Sequence, residues 1–225
     1  MSEEHNEYLS NAETVDLVFN MLVDNNPTAA WTFLQRLGDD PQVVNSWIAV
    51  QCDVNNIKQD PQRSAQIGWA GVEYCLSKGY NKGAAIMLHN IGAFFLPDFR
   101  TVPDRDTSLV MVKAGVRQVE LRRKIGETPQ LIWSLWDLGV AYLCSNDYSS
   151  AVTTLTEGIK LAQSADDRSA ENWCLAMMGK VNILNGDRQT GEAELRSAVS
   201  VINEIGEDWE KLAVVEIMES VGMKA

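Results

Sequence analysis

Residues able to do covalent or metal chemistry are few in this chain and stand apart. There are two histidines, His5 and His89, and four cysteines, Cys52, Cys75, Cys144 and Cys174, with no CxxC or HxxE spacing among them. A tetrahedral metal site needs three or four such ligands brought together, and no local pattern supplies them. The sequence also lacks a glycine-rich phosphate loop and a GxSxG nucleophile elbow. Its acids fall on predicted helix surfaces, where solvation is the default. No catalytic, cofactor-binding or metal-binding residue is therefore named. A helical-repeat hydrolase or phosphatase, working through acid–base pairs formed across the fold, is the reading these patterns favour least. The chemistry the residue types do suit is noncovalent. Trp133, Trp136 and Trp173 gather in two segments of the chain, and tryptophan is the residue most favoured at binding hot spots.

Charge narrows the partner class. The formal net charge is −12, and an acidic surface repels a phosphate backbone, so nucleic acid is not an expected partner. The charge is uneven: residues 1–60 carry −8, residues 61–129 carry +4 and residues 130–225 carry −8. The longest stretch without Asp, Glu, Lys or Arg runs from Gly83 to Pro97 and is 15 residues long, short of the roughly 20 a membrane-spanning helix requires. No membrane partner is expected. The opening Ser2-Glu3-Glu4-His5-Asn6-Glu7 is acidic, unlike a signal peptide's basic start. Each cysteine sits among apolar neighbours in a predicted helix, which suggests reduced core thiols in a cytoplasmic protein.

The elements that must position these residues read as about eleven helices and no strand. Residues 1–10 are expected to be a disordered tail. Helices follow from Asn11 (with Val15, Val18, Phe19 and Leu22), from Pro27, and near 41–58, 61–78, 82–96, 106–125, 129–145, 148–164, 168–185, 188–205 and 207–222. Proline in the first turn and a preceding Asp, as at Asp40-Pro41 and Asp60-Pro61, mark helix starts. Gly79, Gly126 and Gly206 mark breaks.

A small-residue signature recurs along these helices. It reads Asn90-Ile91-Gly92-Ala93, then Asp137-Leu138-Gly139-Val140-Ala141-Tyr142, then Met177-Met178-Gly179-Lys180, with the glycines 47 and 40 residues apart. A weaker copy without glycine, Trp47, Val50, Gln51 and Val54, precedes them. The fullest unit continues through Asn146-Asp147 at a turn to Ala151, Leu155 and Gly158 on a second helix. Glycine there allows the two helices of a hairpin to approach closely, while Leu135, Leu138 and Tyr142 share one face. A period of this length means stacked helical hairpins, because one hairpin cannot bury its apolar face alone.

This pattern resembles the tetratricopeptide repeat, in its longer variant of about 40 residues. The match is fair over 129–205, partial over 82–96 and weak over 41–78. The resemblance implies an all-α, right-handed superhelical solenoid of antiparallel hairpins: one domain over 11–225, with a leading hairpin (11–38), four repeats (41–205) and a closing helix (207–222). The closing helix argues for a complete unit. It also implies a concave groove lined by the first helix of each hairpin. Residues facing away from their own hairpin partner would line it: Trp133, Trp136, Val140 and Leu143; Trp173, Ala176, Met177 and Lys180; and Ile86, His89, Asn90 and Ala93. Some family members grip a carboxylate terminus with Lys and Asn there. Here only Lys180 and Asn90 are polar, so an apolar peptide or helix fits better.

The expected function is a non-catalytic, cytoplasmic protein-interaction module that binds a peptide or helix of a partner in a tryptophan-rich groove. The alternative is a regulatory sensor of a signalling peptide or small molecule. The competing reading of the tryptophans is that they pack between repeats as core. Phe99, Arg100 and Arg105, in the longest irregular stretch, are candidate rim-loop residues. Lys113, Arg117, Arg122, Arg123 and Lys124 make a basic face on helix 106–125, and its pairing with an acidic end of a second copy would give a homodimer.

Overall fold

A computed structural model describes residues 16–18, 20–21, 26–36, 40–96 and 98–224. The expected tail, and most of the first expected helix with Val15, Phe19 and Leu22, lie outside them. Residues 16–18 and 20–21 are helical, and no strand occurs among the described residues. Ten further helices follow: α1 (Pro27–Gln35), α2 (Asp40–Asn56), α3 (Pro61–Ser77), α4 (Asn81–Ala93), α5 (Arg105–Ile125), α6 (Thr128–Cys144), α7 (Tyr148–Ser164), α8 (Arg168–Leu184), α9 (Arg188–Ile205) and α10 (Asp208–Ser220). They fall within three residues of the bounds expected from the sequence. No helix among the described residues is long and apolar enough to cross a membrane.

The helices start and stop for local reasons. Asp60, Asp147, Asp167 and Asp187 each accept a hydrogen bond from the backbone N–H three residues on, capping α3, α7, α8 and α9. The residue before each of these aspartates (Gln59, Asn146, Asp166, Gly186) has positive φ. The Asp147, Asp167 and Asp187 amides then donate back to Tyr142, Ala162 and Asn182 carbonyls at 2.9–3.0 Å, closing the preceding helix. One left-handed residue followed by a capping Asp thus makes a three-residue turn, and three of these turns recur at intervals of 20 residues.

The chain divides into two compact units, Met1–Ile91 and Gly92–Ala225. In the first, Trp47 is 1% exposed and its indole N–H donates to the Ile67 carbonyl at 2.7 Å. Gln51 occupies the position where the other copies carry glycine. It is fully buried, and its amide is satisfied by the Met87 carbonyl and the Asn90 side chain. The close approach has moved to the second helix of the hairpin: a Cβ at Gly68 would overlap Gln51 and Ile91, and one at Gly71 would overlap Trp47 and Met87.

In the second unit each helix from α5 to α10 packs on the next, and α6, α8 and α10 also contact one another in turn. α6 and α8 are the first helices of successive hairpins and α10 closes the row, so the three form one face. The second helices α7 and α9 stand behind it. Close packing depends on the glycines. A Cβ at Gly139 would meet Leu155 of α7 at 2.6 Å, and one at Gly179 would meet the Gly191 carbonyl oxygen of α9 at 2.7 Å. Gly92, the third member of the signature, has open space where its Cβ would stand. It shares the sequence pattern without sharing the packing role.

Candidate functional site: an aromatic face on the second unit

The tryptophans of α6, α8 and α10 form a connected run. Trp133 meets Trp136 edge-on at 6.2 Å between ring centroids, Trp136 meets Trp173 edge-on at 6.1 Å, and Trp173 stacks on Trp209 at 6.1 Å and 15°. Hydrogen bonds fix the rings from helix to helix. The Trp136 indole N–H donates to the Trp173 carbonyl at 3.2 Å, and that of Trp173 donates to the Glu210 carboxylate at 2.7 Å. Such edge and offset-stacked pairs are the favoured aromatic geometries.

A stretch of the chain's own backbone lies on this run. Between α4 and α5, Leu96 and Phe99 pack against the core of the second unit. The Phe99 ring stacks on Trp173 at 5.9 Å and meets Trp136 edge-on at 6.1 Å. Trp173 is therefore stacked by both Phe99 and Trp209. The Phe99 carbonyl accepts a hydrogen bond from the Lys180 ammonium at 2.8 Å. Next in sequence, the Arg100 guanidinium pairs with Glu219 at 2.6 Å and Glu216 at 3.5 Å, both on α10. Asp98 shapes the turn by accepting from the Arg100 and Thr101 amides at 2.8 and 2.7 Å. The Thr101 amide first, and then that of Arg100, hold the Asp98 carboxyl below its ordinary pKa. Burial lowers the pKa of Lys180, against the opposing pull of Cys144 and Asp98.

The structure sorts the residues expected to line a groove. Trp133 is 38% exposed and stays accessible. Trp136 and Lys180 are half-buried beneath Phe99. Val140, Leu143, Trp173 and Met177 are buried core residues, and Ala176 is fully buried. The expectation that these five face an open groove is corrected: neighbouring first helices pack tightly enough to close over them, and Phe99 with Trp209 covers Trp173. Asn90 is also corrected. It is 8% exposed in the first unit, where its amide donates to Gln51 and Cys52. His89 and Ile86 are exposed on α4, and Ala93, half-buried, ends that helix. Phe99 and Arg100, expected at a rim, lie on the face itself, whereas Arg105 is exposed on the first turn of α5.

The basic face of α5 is partly used within the second unit. Arg122 is buried and pairs with Glu127 at 3.2 Å, and Arg123 pairs with Glu157 of α7 at 2.8 Å. Arg122 is thus a core-edge residue and not a surface charge.

From the sequence, Trp209 and Leu212 read only as apolar residues of the closing helix, and neither they nor Glu216 and Glu219 are placed in the site. Trp209 and Leu212 are 60% and 70% exposed, while Ala213, Val214, Ile217 and Met218 of the same helix are buried. Of the apolar residues on α10, two therefore belong to the outer surface. Their signal was a hydrophobic pattern too wide for a single buried stripe.

Burial pushes the thiol of Cys174 up to about 12 and those of Cys75 and Cys144 up to about 11, which keeps them protonated and poorly nucleophilic. Among the described residues no cluster of three or more His, Cys, Asp or Glu is placed to hold a metal ion. No protein-family model matches the chain, and no curated protein does.

Proposed function

We propose that the chain is a non-catalytic, tetratricopeptide-like interaction module that binds a peptide or helix of a partner protein across the face of α6, α8 and α10. One observation carries this reading. The face already holds a turn of the chain's own backbone, through an aromatic slot and a lysine-to-carbonyl hydrogen bond, while apolar residues stay exposed on the same helices at Trp133, Trp209 and Leu212. Exposed aromatic and aliphatic anchors around an ordered polar contact are what a peptide-binding surface needs. Four free cysteines suit the reducing cytoplasm.

The test uses exposed positions, so that the fold is kept. A Trp133→Ala, Trp209→Ala, Leu212→Ala variant should retain its helical circular dichroism and lose the partner that wild type captures from lysate of the source organism. Undiminished capture by the folded variant would overturn the assignment of the face.

A further inference from the structure

Resting on that reading, we propose that residues 98–101 act as a resident occupant of the face, and that the partner segment replacing them carries an aromatic residue followed directly by an arginine. The chain's own segment shows what the face recognises. An aromatic ring stacks against Trp173 and stands nearly perpendicular to Trp136. The carbonyl of that aromatic residue receives the Lys180 ammonium. The following residue extends a guanidinium to two carboxylates, Glu216 and Glu219, set one turn apart on α10. Ring, carbonyl and guanidinium follow one another along two residues of a turn that Asp98 closes, so a replacing segment presents the motif by making the same turn.

Charge complementarity selects the same partner. Residues 130–225, which supply α6 to α10, carry a net charge of −8, and a cationic segment is drawn to them. An arginine suits paired carboxylates better than a lysine, because its planar fork offers several donors in fixed geometry. The resident segment is also lightly held. Its ion pair to Glu219 is about half-exposed on both sides, and Phe99 is only partly buried. A tethered occupant multiplies the apparent affinity of an external segment by the fraction of time the face is vacant, so filling it about nine-tenths of the time weakens binding about tenfold. It therefore acts as an intramolecular competitor that selects for well-matched partners.

The experiment supplies the segment in trans. A fluorescein-labelled peptide with the sequence of residues 95–104 is titrated by anisotropy against wild type and against two variants that vacate the face. These are Phe99→Ala/Arg100→Ala, and Arg100→Glu, which sets a carboxylate against Glu216 and Glu219 at an exposed position. The expected result is at least tenfold tighter binding to both variants than to wild type. Binding should be lost when the peptide's Phe is replaced by Ala or its Arg by Glu, and should weaken with salt. If Phe99→Ala/Arg100→Ala loses helicity, Arg100→Glu decides alone. Equal affinity for wild type and a folded variant, or equal binding of the altered peptides, overturns the proposal. That failure is separable from failure of the interaction reading: in that case partner capture still depends on Trp133, Trp209 and Leu212, and only the aromatic–arginine motif and the competing segment fall.

Discussion

Gly92 and Gly179 occupy the same place in the repeated signature, yet replacing each with alanine should change stability in opposite directions. At Gly179 an added Cβ would lie 2.7 Å from the Gly191 carbonyl oxygen and 2.8 Å from the Leu195 amide nitrogen. Both are backbone atoms of α9, so no side chain can swing aside. The helices α8 and α9 would have to part by roughly half an ångström or more to restore ordinary contact. Overpacking of this kind costs about 1–3 kcal/mol, against a helix-propensity gain of about 1 kcal/mol for replacing glycine by alanine. At Gly92 nothing stands within 4 Å of the added carbon, and its φ is not left-handed. Only the propensity gain operates there, about 0.5–1 kcal/mol. The two variants should therefore differ by about 2 kcal/mol, or about 4–8 °C in Tm for a chain of this size. Thermal and urea melts followed by far-ultraviolet circular dichroism measure the gap directly. A Gly179→Ala variant as stable as Gly92→Ala would refute the claim that backbone approach at Gly179 fixes the α8–α9 contact.

Other outcomes follow from the same contacts. Trp173→Ala, which removes a 2% exposed ring, should cost about 3–5 kcal/mol, and Trp133→Ala, whose ring is 38% exposed, should cost clearly less; urea melts of the two compare them. The thiols of Cys75 and Cys174, buried and pushed up to about 11 and about 12, should resist a thiol reagent at pH 8 in the folded chain and react once it is denatured; fast native reaction would contradict their placement. The carboxyls of Asp98, Asp104 and Asp147 are held below the ordinary range, chiefly by hydrogen bonds from Thr101, Thr107 and Ser150. A depressed folded pKa stabilises above the unfolded value of about 4 and is lost as pH falls through the folded value. Amide exchange at Thr101, Thr107 and Ser150, corrected for intrinsic pH dependence, should thus lose protection below about pH 4 and keep it above.

Helix positions were legible in the sequence because the punctuation is local. Asn26, Asp60, Asp147, Asp167 and Asp187 define starts by accepting from amides three residues on, and Pro27 and Pro61 occupy the first turns. The glycines were legible as a repeat but not as packing. Gly139 and Gly179 make close contacts, Gly92 makes none, and in the first hairpin that role passes to Gly68 and Gly71 across from Gln51 and Trp47. Whether a glycine is crowded depends on the facing helix, which spacing alone does not specify. The face itself was half legible. Trp133, Trp136 and Trp173 were found, but exposure was not, because it is decided by Trp209 and by Phe99, which lie 36 residues after and 74 residues before Trp173 in the chain. The same distance hid the pairing of Arg100 with Glu216 and Glu219.

Site-specific photo-crosslinking tests the central claim most directly, since an adduct marks the face that meets the partner. A photoreactive phenylalanine analogue is placed at Trp209 or Leu212, exposed on α10, and at Thr153 or Lys160, exposed on α7, and each chain is irradiated in lysate of the source organism. A shared adduct from positions 209 and 212, absent from 153 and 160, is the predicted result. An adduct formed from α7 and not from α10 would contradict it.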